Sequence, residues 1–287
     1  MLSFALYSRK YIEPQSFTDE FIDYLIKRGM RVCLHSNIEG WPGLERFNSN
    51  KSLAAVGGVD FMVSVGGDGS FIDAANLVGD LGIPLVGINT GRIGFLSAIR
   101  KDDFEACIDM LQNGEYTLES RSLLHIESSE PLALDTKFII NDVTVRATDS
   151  DSINAITVTA EDKNINTYWA DGLIIATPTG STAYSMSCGG PILHPQTDVM
   201  VLTPIASHSL SVRPLVIPAD QKLRISVDGR GGKYSLCVDT QRIIVDNGVS
   251  LYISKEKFSI KTVLFKNSNF YSTIREKLLW GLDKRNS

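Results

Sequence analysis

One aspartate stands among three glycines at residues 66–70, where the chain reads Gly-Gly-Asp-Gly-Ser. Glycine lets backbone N–H groups approach a ligand without interference from a Cβ atom, and a helix that begins at Ser70 adds partial positive charge at its N-terminus. Such a loop suits phosphate oxygens. A carboxylate repels phosphate, so Asp68 indicates a second role, either as the acceptor of a proton from a hydroxyl or as the ligand of a metal ion that bridges phosphates.

The same loop has a simpler interpretation as a tight turn with an exposed aspartate, because Asp-Gly marks turns in general. The mostly apolar residues 61–65, FMVSV, predict a buried strand before the loop, and the residues after it predict a helix. Ligands of open parallel sheets bind at such strand ends, which favours the ligand-binding interpretation. The loop is neither a P-loop, since no Gly-Lys-Ser/Thr follows, nor a dinucleotide fingerprint, since position 72 is Ile.

Two further segments follow predicted strands. Residues 87–96 read GINTGRIGFL, where Arg92 is either a phosphate contact or a surface charge, and Phe95 either packs at the domain junction or covers a nucleobase. Residues 169–195 read WADGLIIATPTGSTAYSMSCGGPILHP. Their small hydroxyl residues can bond to sugar hydroxyls and base edges, and Tyr184 supplies an aromatic face. The structural alternative is a Ser/Thr-rich turn that caps a helix.

The elements that must position these segments change character near residue 120. Before it, apolar strands alternate with helices, which predicts a parallel sheet covered on both faces. After it, β-rich runs separated by turn residues predict an all-β domain. We therefore expect an α/β, Rossmann-like domain at residues 1–120, a β-sandwich-like domain at 121–267, and a C-terminal helix within 268–287 that packs back on the first domain.

Composition restricts the partners. The chain has 287 residues, 43% of them hydrophobic, which is enough for a large core, and its net charge of −5 argues against a nucleic-acid partner. Four cysteines stand far apart without a C-x-x-C pair, so we expect no zinc site, no disulfide framework and a cytoplasmic location. No run approaches the roughly 18 apolar residues of a membrane span, so no membrane partner is expected.

Taken together, the segments resemble the NAD kinases, which phosphorylate NAD to NADP with ATP. The resemblance rests on GGDGS, NTGRIGFL, NDVTV, DGLIIATPTGSTAYSMSCGGPILHP and TPIASHSLSVRPLVIP, which occur in this order over about residues 60–250. The segment of the TPTGSTAY type is highly specific. The GGDG loop is less specific, because diacylglycerol and sphingosine kinases and phosphofructokinases share it.

The resemblance implies roles for individual residues. Asp68 is the base that acts on the adenosine 2′-hydroxyl, and Gly67 and Gly69 lie against phosphates. Asn141 and Asp142 bind adenine and ribose. The other residues implied to line the dinucleotide site are Phe95 beside the adenine, Asp171 at the nicotinamide amide, often across a subunit boundary, and Thr179, Thr182, Ala183 and Tyr184. NAD is expected between the two domains of a homodimer or homotetramer, with Mg²⁺ carried by ATP rather than by the protein.

Three positions depart from the family pattern. The loop has Ser70 where Thr is common, which keeps the hydroxyl. Trp169 stands where some members have Arg, so any phosphate contact of that Arg must fall elsewhere. Residues 238–241 read VDTQ in place of a frequent VDGQ, which weakens the case for Asp239 in the pocket.

Rival interpretations predict other features. A lipid kinase would share GGDGS but has no reason for TPTGSTAYS. A dinucleotide sensor without activity gains nothing from Asp68. A phosphofructokinase needs clustered basic residues, which the sequence lacks. The sequence leaves open the range of phosphoryl donors, the preference between NAD and NADH, inhibitors, and the choice between dimer and tetramer.

Overall fold

The computed structural model describes residues 1–9, 16–91, 94–97, 99–148, 154–229, 231–266 and 269–280. The chain divides into two compact units. The first unit comprises Met1–Ser120 and Ile260–Ser287, and the second comprises Arg121–Ser259. Of the helices among the described residues, none has the length and apolar character needed to cross a membrane.

The strands are β1 (Ser3–Ser8), β2 (Arg31–His35), β3 (Glu45–Phe47), β4 (Phe61–Val65), β5 (Leu85–Asn89), β6 (Ile99–Arg100), β7 (Tyr116–Ser128), β8 (Phe138–Ile139), β9 (Asp142–Ala147), β10 (Asn154–Ala160), β11 (Lys163–Ala170), β12 (Gly172–Ala176), β13 (Val199–Ile205), β14 (Leu215–Pro218), β15 (Leu223–Gly229), β16 (Lys233–Val238), β17 (Gln241–Asp246) and β18 (Leu251–Phe265). The α-helices are α1 (Phe17–Lys27), α2 (Asn50–Val56), α3 (Asp68–Val78), α4 (Phe104–Gln112), α5 (Tyr184–Ser187) and α6 (Phe270–Leu278).

The first unit is built on a parallel sheet. Its strand order is β3-β2-β1-β4-β5, every neighbouring pair is parallel, and β6 pairs with the end of β5. All five residues of β4 and all five of β5 are buried, as expected for central strands covered on both faces. The predicted α/β architecture is confirmed. The sequence analysis missed β3 and α2, which are short and carry little apolar periodicity.

The helix after the glycine loop begins two residues earlier than predicted. The sequence placed its start at Ser70, whereas α3 starts at Asp68 with Gly67 as its N-cap. Gly67 is extended there, with φ −92° and ψ −169°. Asp68 therefore lies in the first turn, where a negative charge is favourable next to the helix dipole. As a result, a helix rather than a free loop sets the position of the carboxylate.

The second unit is a pair of antiparallel sheets. One sheet has the order β14-β13-β12-β9-β16-β17, and the other contains the neighbours β11, β10, β15 and β18. Their apolar faces share one core, in which Val143 and Leu173 from the first sheet are buried together with Ile156 and Ile225 from the second. The predicted all-β, sandwich-like architecture is confirmed.

Helix α6 belongs to the first unit. It begins after Asn269, whose side-chain oxygen accepts a hydrogen bond from the Ser272 N–H at 2.9 Å. The sequence predicts this helix from the spacing of Tyr271, Ile274 and Leu278. Of these three, Ile274 is buried, Leu278 is half-buried and Tyr271 is 62% exposed. The apolar contact of α6 is therefore narrower than the sequence indicated.

Candidate active site

Both carboxylate oxygens of Asp68 accept hydrogen bonds from the segment after β5. Oδ2 accepts the N–H of Phe95 at 2.7 Å, and Oδ1 accepts the N–H groups of Leu96 and Ser97 at 3.0 Å each. Gly94 makes this close approach possible, because a Cβ atom there would lie 1.8 Å from Asp68 Oδ1. The two glycine segments that the sequence analysis singled out are thus joined through one carboxylate.

The donors among the described residues leave Asp68 with one open acceptor position. A carboxylate oxygen accepts about two hydrogen bonds. Oδ1 already has two, from Leu96 and Ser97, whereas Oδ2 has one, from Phe95. Oδ2 is therefore the atom that can accept a hydroxyl proton without losing a backbone partner.

The glycines around Asp68 differ in the space they face. Gly66 has a φ of 144°, and a Cβ atom on it would lie 2.3 Å from Ser70 Oγ, so a side chain is excluded. No atom of the described residues lies within 4 Å of the position that a Cβ atom would take on Gly67. On Gly69 that position is 2.8 Å from Nη1 of Arg9. Gly67 thus offers an open face to a ligand.

Arg9 is a basic residue beside the loop that the sequence analysis missed. It directly follows β1, and its Nε and Nη2 atoms bond to the Asp73 carboxylate at 2.6 and 2.9 Å. Its position after a parallel strand was the available signal, because strand ends of such a sheet meet at one edge. Arg92, named as a possible phosphate contact, lies outside the described residues.

Lys277 of α6 is the second missed residue. Its Nζ lies 4.9 Å from the centre of the Phe95 ring, a cation–π distance. The atom is buried and has no hydrogen-bond partner among the described residues. Burial lowers the pKa of the amine to about 8, against the opposing charges of Asp68 and Glu276. The sequence showed only an amphipathic helix, which gave no signal for this contact.

In the second unit, Asp239 holds the segment that contains Asn141 and Asp142. Its Oδ2 accepts the N–H of Ile140 at 2.8 Å, and its Oδ1 accepts those of Asn141 and Asp142 at 2.7 and 3.2 Å. Asp239 lies in the turn between β16 and β17 with a φ of +48°. The departure from VDGQ weakened the prediction of Asp239 in the pocket, whereas in the structure its carboxylate anchors the backbone of the Asn-Asp pair.

Asp142 is a buried carboxylate, 8% exposed. Its Oδ1 accepts the hydroxyl of Thr144 at 3.0 Å. Burial raises the pKa of Asp142 to about 7, and the charge of Asp239 adds to the rise. Burial also raises the pKa of Asp239, to about 6, although its three backbone donors oppose the shift. Both buried carboxyl groups thus have raised pKa values, and Asp239 bonds to the backbone N–H of Asp142.

The loop after β12 is docked on Asn141. Thr177 N donates to Asn141 O at 2.9 Å, and the Thr177 hydroxyl donates to Ile140 O at 2.6 Å. A Cβ atom on Gly180 would lie 2.0 Å from Asn141 O, so this contact requires glycine. The structure thus brings the TPTGST segment and the Asn-Asp pair together.

The hydroxyls of this loop fall into two classes. The Thr177 hydroxyl donates to Ile140 O and accepts the N–H of Gly180, and the Ser181 hydroxyl donates to Pro178 O; the last two bonds are local, as in the capping alternative. The Thr182 hydroxyl donates to Thr179 O at 3.1 Å. The Thr179 hydroxyl is buried without a partner among the described residues, which leaves it for a ligand. Next in the chain, Ala183 is half-buried and Tyr184, which opens α5, is 37% exposed.

Asp171 does not join these residues. It lies at the opposite end of β12, next to Gly172, which pairs with Arg146, whereas Ala176 pairs with Asp142. Six residues of extended chain between Asp171 and Thr177 span about 20 Å. Within one chain, therefore, Asp171 is remote from the Asn-Asp pair.

Comparison with known proteins identifies the family. The model of the ATP-NAD kinase N-terminal domain matches residues 27–116, and that of the ATP-NAD kinase C-terminal domain matches residues 140–264. The chain belongs to the ATP-NAD kinase family. Its resemblance to this family, predicted from the motifs, is confirmed. Asp68 and the Asn-Asp pair lie inside the matched ranges, whereas Lys277 lies beyond them.

Relatives cover nearly the whole chain. It is 37% identical to the NAD kinase of Cytophaga hutchinsonii, with 99% of each chain covered, and 40% identical to that of Bacteroides fragilis strain ATCC 25285, with 99% and 100% covered. Yeast NADH kinase complexed with NADH has a TM-score of 0.84 at 20% identity over 99% of this chain and 89% of its own. The Archaeoglobus fulgidus NAD kinase in complex with ATP has a TM-score of 0.72 at 24% identity, covering 96% and 99%. The two structures show the same fold.

Proposed function

We propose that this protein transfers the γ-phosphate of ATP to the adenosine 2′-hydroxyl of NAD and so forms NADP. The observation that carries the proposal is the state of Asp68, a carboxylate fixed by three backbone donors, with one acceptor position on Oδ2 that no described residue fills. A residue held in this way in a member of the ATP-NAD kinase family is suited to receive one hydroxyl proton.

The reaction needs alignment more than covalent participation of the protein. The bond from the 2′-oxygen to the γ-phosphorus forms, the bond from that phosphorus to the β,γ-bridging oxygen breaks, and the hydroxyl proton passes to Oδ2 of Asp68. Because a carboxylate is a weak base for an alcohol, the proton moves as the new oxygen–phosphorus bond forms. The three backbone N–H groups keep the carboxylate in place during the transfer.

The phosphates of ATP have a matching surface in the first unit. The N-terminus of α3 carries partial positive charge, Gly67 leaves open space for an oxygen atom, and Gly69 keeps the following turn free of a side chain. Mg²⁺ arrives with ATP and neutralises charge on its phosphates. Among the residues that the structure describes, no three His, Cys, Asp or Glu side chains are grouped so that they could hold a metal ion.

The NAD side of the proposal uses the second unit and Phe95. Asn141 and Asp142 bind adenine and ribose, because Asp239 fixes their backbone and Asp142 keeps one carboxylate oxygen for a ribose hydroxyl. Thr179 supplies its unpartnered buried hydroxyl. The other proposed contacts are Phe95 at the adenine and Thr182, Ala183 and Tyr184 along the dinucleotide.

Asp171 has a place in this scheme only if a second copy of the chain is present. Its separation of about 20 Å from the loop at Thr177 is too long for both to contact the same small group. We therefore propose a homodimer or homotetramer, in which Asp171 of one copy meets the nicotinamide amide of NAD bound to another. The cytoplasmic location stays a prediction from cysteine usage.

The test is direct. Purified protein is incubated with NAD, ATP and Mg²⁺, and the product is measured with a dehydrogenase that uses only NADP. NADP from the wild type supports the proposal. NAD binding without NADP would favour a sensor, and the absence of NAD binding would redirect the search to lipid substrates. Omission of ATP or its replacement by polyphosphate defines the donor.

A further inference from the structure

Lys277 has no role in the proposed reaction as described so far, and its surroundings are unusual for a lysine. Its Nζ is buried and has no hydrogen-bond partner among the described residues, although an ammonium has three protons to donate. A buried polar group without a partner destabilises the fold. A lysine in this setting therefore indicates that an acceptor arrives with a ligand.

The neighbours of Lys277 show where that acceptor must come. The Phe95 ring lies under its Nζ, and the N–H of the same Phe95 donates to Oδ2 of Asp68. Asp68 itself acts on Lys277 electrostatically. The amine thus lies on the ring of the residue whose backbone N–H holds Oδ2, and it is close enough to the Asp68 carboxylate to feel its charge.

Asp68 is not the missing partner. Its oxygens already accept three backbone N–H groups, and no hydrogen bond or ion pair joins it to Lys277 in the described part of the chain. Lys277 also differs from Arg9, a second basic residue placed near the loop by the described part of the chain, because Arg9 is bonded in a bidentate manner to Asp73. Of these two cations, Lys277 is the one whose donors are all available.

We propose that Lys277 binds a non-bridging oxygen of the phosphoryl group that is transferred beside Asp68. The inference rests on the proposed function, since it names a residue of the same reaction. Charge on those oxygens is spread and stabilised during transfer, and a cation placed beside them stabilises it. Lys277 itself gains and loses no proton in the step, because the hydroxyl proton passes to Asp68.

Three variants test this role. Lys277→Met keeps the length and apolar stem but removes the charge, Lys277→Arg keeps the charge, and Arg275→Met removes a charge from the exposed side of the same helix. For each, the measurements are kcat, the equilibrium Kd of ATP with Mg²⁺, the Kd of NAD, and the melting temperature. Wild-type NADP formation is measured first.

We expect Lys277→Met to lower kcat by about 100-fold and to weaken ATP binding by about 10-fold, with the Kd of NAD unchanged. Its melting temperature should be equal or higher, since an unpartnered buried charge is removed. Lys277→Arg should regain at least a tenth of the lost activity, and Arg275→Met should behave as wild type.

A wild-type kcat in Lys277→Met would overturn the inference. So would a loss confined to NAD binding, which would make Lys277 a support for Phe95 alone, or a loss of activity with a lower melting temperature that Arg does not rescue. If the wild type forms no NADP, the proposed function fails by itself. In that case ATP binding still decides: weaker binding by Lys277→Met supports the phosphate contact, and unchanged binding removes it.

Discussion

Asp68 in the first unit and Asp239 in the second bind the backbone in the same pattern. Each carboxylate accepts three consecutive N–H groups, those of residues 95–97 and of residues 140–142, with two on Oδ1 and one on Oδ2. Their neighbours differ. Asp68 lies near the amine of Lys277, whereas Asp239 lies near the second carboxyl group of Asp142. The same local structure thus presents a reactive oxygen in one unit and holds a binding segment in the other.

The largest expected difference between substitutions of Asp68 and of Asp239 is in kcat. Asp68→Asn should lower kcat by about 1,000-fold, because the amide cannot accept the hydroxyl proton, while the Kd of NAD should change less than about threefold. Steady-state kinetics and equilibrium titration measure the two quantities. Asp80→Asn, on an exposed residue after α3, is the matched control. Equal losses in kcat and NAD affinity would contradict a role as base.

A third aspartate, Asp171, tests whether two copies of the chain contribute residues to one site. Asp171→Ala should lower kcat/KM for NAD by about 10- to 100-fold, because one contact to the nicotinamide amide is lost. If that contact comes from a second copy, mixing Asp171→Ala with Asp68→Asn should restore activity, since some exchanged oligomers contain one intact site. The measurement is NADP formation after subunit exchange. No recovery in the mixture would place Asp171 outside the site of its partner.

Asp239→Asn should show the opposite signature to Asp68→Asn. In the wild type, the Asp239 carboxylate accepts hydrogen bonds from three backbone N–H groups. The NH₂ group of an asparagine would place a donor opposite one of them, so that hydrogen bond is lost and the segment at residues 140–142 is held less firmly. We expect KM for NAD to rise about 10-fold, kcat at saturating NAD to stay within about threefold, and the free energy of unfolding to fall by about 1–3 kcal/mol. Chemical denaturation and kinetics check this. A collapse of kcat alone would mean that Asp239 takes part in the chemistry.

The last expected effect concerns stability and not catalysis: the free energy of unfolding depends on pH through Asp142 of the second unit. Asp142 has a raised pKa of about 7 in the folded protein, against an ordinary value of 3.8, so the folded state binds the extra proton between these limits. The free energy of unfolding therefore falls as pH rises from about 4 to about 7, by at most about 4 kcal/mol. Asp239, with a pKa of about 6, adds to the fall.

Melting temperatures measured from pH 5 to pH 8 check this dependence. The wild type should lose several degrees, and Asp142→Asn should lose less, because the amide does not titrate. The same variant should bind NAD more weakly if an ionised Asp142 accepts a ribose hydroxyl. Identical pH profiles in the two proteins would show that Asp142 does not carry the effect.

The sequence predicted the parts of the site whose signals are local. A buried strand, a glycine loop and a helix occupy residues 61–78, and the loop could be interpreted without knowledge of the rest of the fold. The TPTGSTAY segment is similarly self-contained. The α/β and all-β halves followed from a change of periodicity that runs over many residues.

What the sequence did not predict depends on residues far apart in the chain. Asp239 meets Asn141 across a gap of 98 positions, and its own segment departs from the family pattern. Lys277 reaches Phe95 from the last helix, where the helical spacing indicated apolar contacts instead. Long-range pairings of this kind have no periodicity in the sequence, so only the folded chain shows them.

Gly94 shows how such a pairing restricts change at a site. Because the space of its missing Cβ atom is filled by the carboxylate of Asp68, even a methyl group at residue 94 displaces that carboxylate. The substitutions tolerated at residue 94 therefore depend on the side chain at residue 68, and the reverse also holds. A mutant library that varies the glycine loop around Asp68 but keeps residue 94 fixed therefore tests only one side of this contact. A chain that keeps the GGDGS motif but gains a side chain at residue 94 loses the position of the Asp68 carboxylate.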